Sequence, residues 1–289
     1  MRISKIIFSI AAAITPFLGI SAASAADMPA YSKAPVLAPA PVYNWTGFYV
    51  GGNVGYSWDN TAAAFSGNSL TSIFFAANIF PTAIGLNTNG VLAGGQFGYN
   101  WQVSPMWVVG FETDLQWANI KGTASVVPTA IAGADLFTTS VSKQVDWFGT
   151  ARGRVGFLPA PNVLVYGTGG LAYGERKLSF NTIDISSPCS SEIPCASGAA
   201  TSTSAGWTVG AGVEIAFWNN WSFKAEYLHV DLGILAATAF DTSTQAPPCH
   251  PPGVTTPSSC SFTASSTFRN EIVRIGVNYK FGGPVVARY

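Results

Sequence analysis

Trp45-Thr46-Gly47-Phe48-Tyr49-Val50-Gly51-Gly52-Asn53-Val54-Gly55-Tyr56-Ser57-Trp58 is the stretch that decides the fold. Its large apolar residues, Phe48, Val50, Val54, Tyr56 and Trp58, fall on one face of an extended chain. Tyr49, Gly51, Asn53, Gly55 and Ser57 fall on the other. Alternation of period two is the signature of a strand with unlike faces. Sustained over a dozen residues, it exceeds the roughly five or six of an ordinary strand and matches a strand tilted across a bilayer.

Seven further runs follow. Residues 90–102 set Val91, Ala93, Phe97, Tyr99 and Trp101 against Leu92, Gln96 and Asn100. Residues 106–119 set Trp107, Val109, Phe111, Leu115 and Trp117 against Glu112, Asp114 and Gln116. Residues 145–158 group Val145, Trp147, Ala151, Val155 and Phe157 opposite Asp146, Thr150, Arg152 and Arg154. Residues 163–176 are glycine-rich and their faces less distinct, while 206–217, 221–231 and 272–281 alternate again. Short connections join the second and third, fourth and fifth, and sixth and seventh runs, the last through Trp218, Asn219 and Asn220. The remaining connections, around 59–89, 120–144, 177–205 and 232–271, are long. This predicts an eight-stranded antiparallel up-and-down transmembrane β-barrel, with short periplasmic turns and long extracellular loops.

Composition agrees. Only 10% of the 289 residues are charged, against about 25% in soluble domains. No later segment has the ~20 apolar residues of a transmembrane helix, and balanced charge gives no footprint for nucleic acid. Residues 1–25 combine Arg2 and Lys5, an apolar stretch and Ala23-Ser24-Ala25, a signal peptide expected to be cleaved after Ala25. Residues 26–44, with Pro29, Pro35, Pro39 and Pro41, read as an extended periplasmic leader. Residues 45–281 are then the barrel and 282–289 a tail.

Charge placement orients the faces. Glu112, Asp114, Arg152, Arg154, Glu214, Lys224, Glu226, Arg274 and Lys280 all occupy the polar sides of their runs. A lipid-facing Arg or Lys at the midplane costs about 2–4 kcal/mol, so these residues are expected to form a paired network in the lumen. Trp45, Trp101, Trp107, Trp218 and Trp221 lie at short-turn ends, and Trp58, Trp117, Trp147 and Trp207 at long-loop ends. All nine are therefore expected in two aromatic girdles at headgroup level.

The opening stretch, with Gly167-Thr168-Gly169-Gly170-Leu171-Ala172-Tyr173-Gly174, Lys224-Ala225-Glu226-Tyr227 and Val273-Arg274-Ile275-Gly276-Val277-Asn278-Tyr279-Lys280-Phe281, resembles the small outer-membrane β-barrel proteins of Gram-negative bacteria, the porin-family or outer-membrane immunogenic proteins. That resemblance implies an outer-membrane location and, weakly, channel activity. It also implies that the final-strand aromatic, Phe281, is the signal presented to the barrel-assembly machinery.

Catalytic constellations are poor, since the only histidines are His229 and His250, and no enzyme activity is expected. Nothing calls for a cofactor or a metal. Cys189, Cys195, Cys249 and Cys260 fall in two long connections of an exported chain and suggest disulfides. Pairing within each connection is favoured, with cross-pairing left open. Eight strands enclose an interior only just wide enough for side chains. Three functions compete: a structural or surface-interaction protein working through its loops, a narrow channel for ions or very small solutes, and a lipid-modifying enzyme. Outer-membrane lipids and lipopolysaccharide are the expected surroundings, and the loops carry no motif that names a surface partner.

Overall fold

Each alternating run becomes a strand in the computed structural model, which describes residues 43–68, 71–76, 78, 80–127, 137–184, 196–240 and 260–282. The signal peptide, most of the leader and most of the tail lie outside the described residues. The elements are β1 (Gly47–Asp59), β2 (Ala63–Gly67), α1 (Ser72–Ala76), β3 (Ala83–Ile84), β4 (Thr88–Gln102), β5 (Trp107–Val126), β6 (Phe137–Ala160), β7 (Val163–Asp184), β8 (Ala196–Trp218), β9 (Trp221–Phe240) and β10 (Ser261–Lys280). All pairings are antiparallel in one ten-stranded sheet. Eight strands run in the order β1-β4-β5-β6-β7-β8-β9-β10, and β1 pairs with β10 to close the ring. Closure removes the edge where all eight strands pair, whereas β8 and β9 pair only from Trp207 opposite Asp231 to Trp218 opposite Trp221.

Burial follows the alternation. Phe48, Val54, Phe97, Phe111, Leu115, Val155, Val273 and Ile275 point outward and are exposed, whereas Asn53, Gln96, Glu112, Arg152, Lys224 and Arg274 point inward and are buried. In water this would be inside out. It is the patterning that hydrocarbon solvent requires.

The strands are longer than the runs. β5 continues to Val126, β7 to Asp184 and β9 to Phe240, while β6, β8 and β10 begin at Phe137, Ala196 and Ser261. Much of the expected long connections is therefore sheet. Within these extensions the pattern inverts. On β9 the inward side chains change from Ser222, Lys224 and Glu226 to Leu228, Val230, Leu232, Leu235, Ala237 and Ala239. The outward ones change from Phe223 and Tyr227 to a mixed set, Ile234, Ala236, Thr238 and Phe240. Leu178, Phe180, Phe262, Ala264 and Phe268 join the inner cluster from β7 and β10. The uniformly polar interior expected from the sequence is thus confined to one half of the ring. The other half is filled by apolar side chains, as the core of a water-soluble protein is. β2 continues the wall where β1 ends, pairing Ala63–Gly67 against residues 262–266 of β10.

Two bulges set this geometry. Between β6 and its neighbours the register shifts around residues 144–148. Val145 consequently points inward and is 1% exposed, and Asp146 lies outward beside Lys177. This corrects the grouping of Val145 with Trp147 and of Asp146 with the lumen side, since one extra residue reverses the facing of whatever precedes it. The second irregularity, opposite residues 267–269, includes Gly233 at φ +81°, a conformation that favours glycine.

Candidate functional site

The inward charges of five strands meet in one layer. Arg152 donates from Nη2 to Glu112 Oε1 (2.5 Å) and Asp114 Oδ2 (3.0 Å), and from Nη1 to Glu226 Oε1 (3.0 Å). Arg274 donates to Glu226 Oε2 (2.6 Å) and Asp114 Oδ2 (3.0 Å). Lys224 Nζ reaches both oxygens of Glu112, at 2.8 and 3.0 Å. Arg154 pairs with Glu214 at 3.1 Å. All eight side chains are at most 3% exposed, and four carboxylates balance four cations. Burying unpaired charges is costly, so adjacent strands supply opposite signs: Glu112 faces Arg152 in register, and Glu226 faces Arg274.

Lys280, expected in the same network, stands apart. Its ammonium donates to Asn44 O at 2.6 Å and lies 5.1 Å from the Tyr43 ring centroid.

Several partners were not singled out from the sequence. Tyr49 OH donates to Glu112 (2.7 Å), Tyr166 OH donates to Glu226 (3.0 Å), and the two rings flank the Arg154 guanidinium at 4.8 and 5.2 Å. An amide chain adds to this: Asn53 Nδ2 donates to Gln96 Oε1 (2.5 Å), Gln96 Nε2 to Asn278 Oδ1 (2.7 Å), and Asn278 Nδ2 to Glu214 Oε1 (2.8 Å). Their available signal was position, since each lies on the polar face of its run.

At the short-turn end, residues 43–45 precede β1 and turn inward. Trp45 is 1% exposed and packs with Val108, Leu158, Leu164, Tyr166 and Ala216. Its indole N–H donates to Pro161 O at 3.1 Å, and its backbone N–H donates to Gln102 Oε1 at 3.1 Å. This corrects its assignment to the aromatic girdle. Trp45 has the odd parity of Tyr49, Asn53 and Ser57, which face inward, so its place at the end of the run, not its facing, is what suggested the girdle. Burial, reinforced by Glu214, pushes the nearby Tyr43 phenol above its usual range and keeps it neutral.

The other eight tryptophans face outward. Trp58, Trp101, Trp107, Trp117, Trp207, Trp218 and Trp221 are exposed, and Trp147 is half-buried against Tyr173. In the inverted half, Lys143 is ion-paired to Asp59 and lies 4.5 Å from the Phe268 ring centroid.

His229 also faces outward. Its Nδ1 meets Glu271 at 2.7 Å, and its ring lies 5.1 Å from that of Trp207. Tyr227 OH donates to the same carboxylate. Among the described residues no hydroxyl or thiol hydrogen-bonds to the His229 ring, Thr208 Oγ1 donating instead to its backbone carbonyl at 2.9 Å, and His250 lies outside them. Cys260 is fully buried and disulfide-bonded, whereas Cys189, Cys195 and Cys249 lie outside the described residues.

A closed antiparallel ring, apolar outside and charge-paired within, defines a class of membrane protein that crosses by strands. The chain belongs to the outer membrane protein beta-barrel domain family, whose model matches residues 13–281, and its location is the outer membrane. It is 34% identical to the 31 kDa outer-membrane immunogenic protein of Brucella melitensis over 94% of this chain and 98% of that one. It is 32% identical to the 22 kDa outer membrane protein of Rhizobium leguminosarum bv. viciae, over 66% of each chain. The 25 kDa outer-membrane immunogenic protein of Brucella abortus is 25% identical over 97% of this chain and all of that one. These names speak of location and antigenicity, not of catalysis.

Proposed function

We propose that the protein is an eight-stranded up-and-down transmembrane barrel with a closed lumen, acting as a structural and surface-interaction protein through its extracellular part. The observation that carries this is the filling of the lumen at three levels. Trp45 and its apolar neighbours occupy the short-turn end, the neutral charge layer follows, and the apolar cluster of the strand extensions lies beyond. A continuous water path would have to cross all three. Lipopolysaccharide and other outer-membrane lipids then surround the apolar band, and the extensions stand above it.

Planar-bilayer recording of the refolded protein tests the reading. The expected result is no steady conductance. A stable open level in wild type would establish the narrow-channel alternative. Orientation is tested by labelling single cysteines, in a cysteine-free background, on intact cells. Exposed positions within 120–144 and 232–271, such as 127 and 238, should label, and positions 162 and 219 should not. The opposite pattern would reverse the topology.

Phe281 is proposed as the assembly signal. Its N–H donates to Phe48 O at 2.8 Å, and its ring packs 5.4 Å from that of Tyr279. Deleting residues 282–289 should leave insertion nearly intact, whereas Phe281→Ala should reduce the heat-shifted band on gels several-fold. Equal assembly of Phe281→Ala and wild type would remove the assignment.

A further inference from the structure

The outward wall is not evenly covered. Between β10, β1, β4 and β5 it sinks into a groove of about 550 Å³, with Ile275, Val54, Ala93 and Trp117 in one register row and Val273, Tyr56 and Val91 in the next outward-facing row toward the long connections. Its floor is Ala93, which sits in register between Val54 and Trp117. A methyl group between two large side chains makes the depression. Immediately below, Gly52 opposes Gly95. A Cβ added at either position would meet nothing closer than 3.8 or 3.7 Å. Packing within the sheet therefore does not demand glycine there, and what glycine leaves is open space on the lipid side.

Polar groups stand directly above this space. Asn119 and Lys121 continue β5 beyond Trp117, Asn89 continues β4 beyond Val91, and Asn89 faces Lys121 in register. All three are exposed. None makes a side-chain hydrogen bond or ion pair with any described residue, and Lys121 is the outward cation without an acid partner among them. Lys177 and Arg269, the other outward cations, are paired with Asp146 and Asp231.

We propose that this is a lipid site. One acyl chain of a phosphate-bearing outer-leaflet lipid lies over Ala93, Gly52 and Gly95, and its phosphate is held by Lys121 with the amides of Asn89 and Asn119. The chain gains from the apolar walls, and Tyr56 and Trp117 sit where amphipathic rings mark the headgroup boundary. Four residues separate Lys121 from Trp117, about 13 Å along a strand, and a lysine stem spans part of that distance while its ammonium stays at the phosphate. The site rests on the transmembrane reading above.

Native mass spectrometry of the whole protein in mild detergent, titrated with phosphatidylglycerol, tests it. Wild type should retain one tightly held lipid, and Lys121→Gln and Ala93→Phe should each weaken retention about tenfold. Diacylglycerol with the same chains should bind as weakly as phosphatidylglycerol does to Lys121→Gln. Both substitutions face outward and touch no lumen group, so the heat-dependent gel shift should persist. Equal retention by wild type and both variants would overturn the proposal. So would displacement by millimolar inorganic phosphate, which would mean an ion site only, or a wild-type dimer abolished by Ala93→Phe, which would mean a second copy in the groove. Loss of the gel shift in wild type itself would remove the membrane reading, and the site with it.

Discussion

Replacing Arg152 with Ala should lower the stability of the barrel by about 3–5 kcal/mol, the cost of leaving partners of a buried ion pair uncompensated. Arg152, like Arg274, touches three carboxylates, Glu112, Asp114 and Glu226, and does so with the shorter contact to Glu112. Without it, four acids share Arg154, Lys224 and Arg274. Urea-induced unfolding in detergent or lipid vesicles, followed by tryptophan emission, is the measurement. Arg152→Lys should lose less, because it restores the charge but not the forked geometry that lets one guanidinium serve three partners. Adding Glu112→Gln to Arg152→Ala should recover part of the loss by removing one excess negative charge, a non-additivity expected of groups in one network. Strict additivity of the two substitutions would mean that the layer does not act as a unit. If the charge layer is what excludes water, Arg152→Ala combined with Arg154→Ala should also raise leak conductance. A change of ion selectivity without loss of stability would favour a hydrated path instead.

Trp45→Ala should be comparably damaging, by about 3–5 kcal/mol for truncation of a fully buried tryptophan. The cavity would open among Val108, Leu158, Leu164 and Tyr166, and the indole bond that ties the segment before β1 to the turn at Pro161 would be lost. A girdle tryptophan such as Trp101, 61% exposed, should cost far less when truncated, so the pair of variants compares the two environments directly. Trp45→Ala alone should not conduct, because the charge layer and the apolar cluster remain beyond it. Combined with Arg152→Ala and Arg154→Ala, it should give larger and more frequent openings than those two alone. Equal stability losses for Trp45→Ala and Trp101→Ala would show that the inward packing of Trp45 contributes nothing.

The sequence by itself determined the strands, the charge-bearing side of each strand and the outward tryptophans, because in a strand facing lipid the side chain's facing is set by parity and its chemistry by the solvent on that side. Glu112, Arg152, Lys224 and Arg274 were legible one strand at a time. That they share one layer, with Tyr49 and Tyr166 closing around Arg154, depended on register between strands far apart in sequence, which no local pattern encodes. The inverted half was written in the chain, since Leu228, Val230 and Leu232 continue the inward parity of Lys224 and Glu226. A switch from polar to apolar at constant parity looks like the end of a strand unless the change of surroundings is known. Trp45 shares the inward parity of Tyr49 and Asn53 and was legible on that ground, whereas Val145 and Asp146 were decided by tertiary structure alone, through a bulge. One added residue reverses facing at a cost small enough for the pairing around it to absorb.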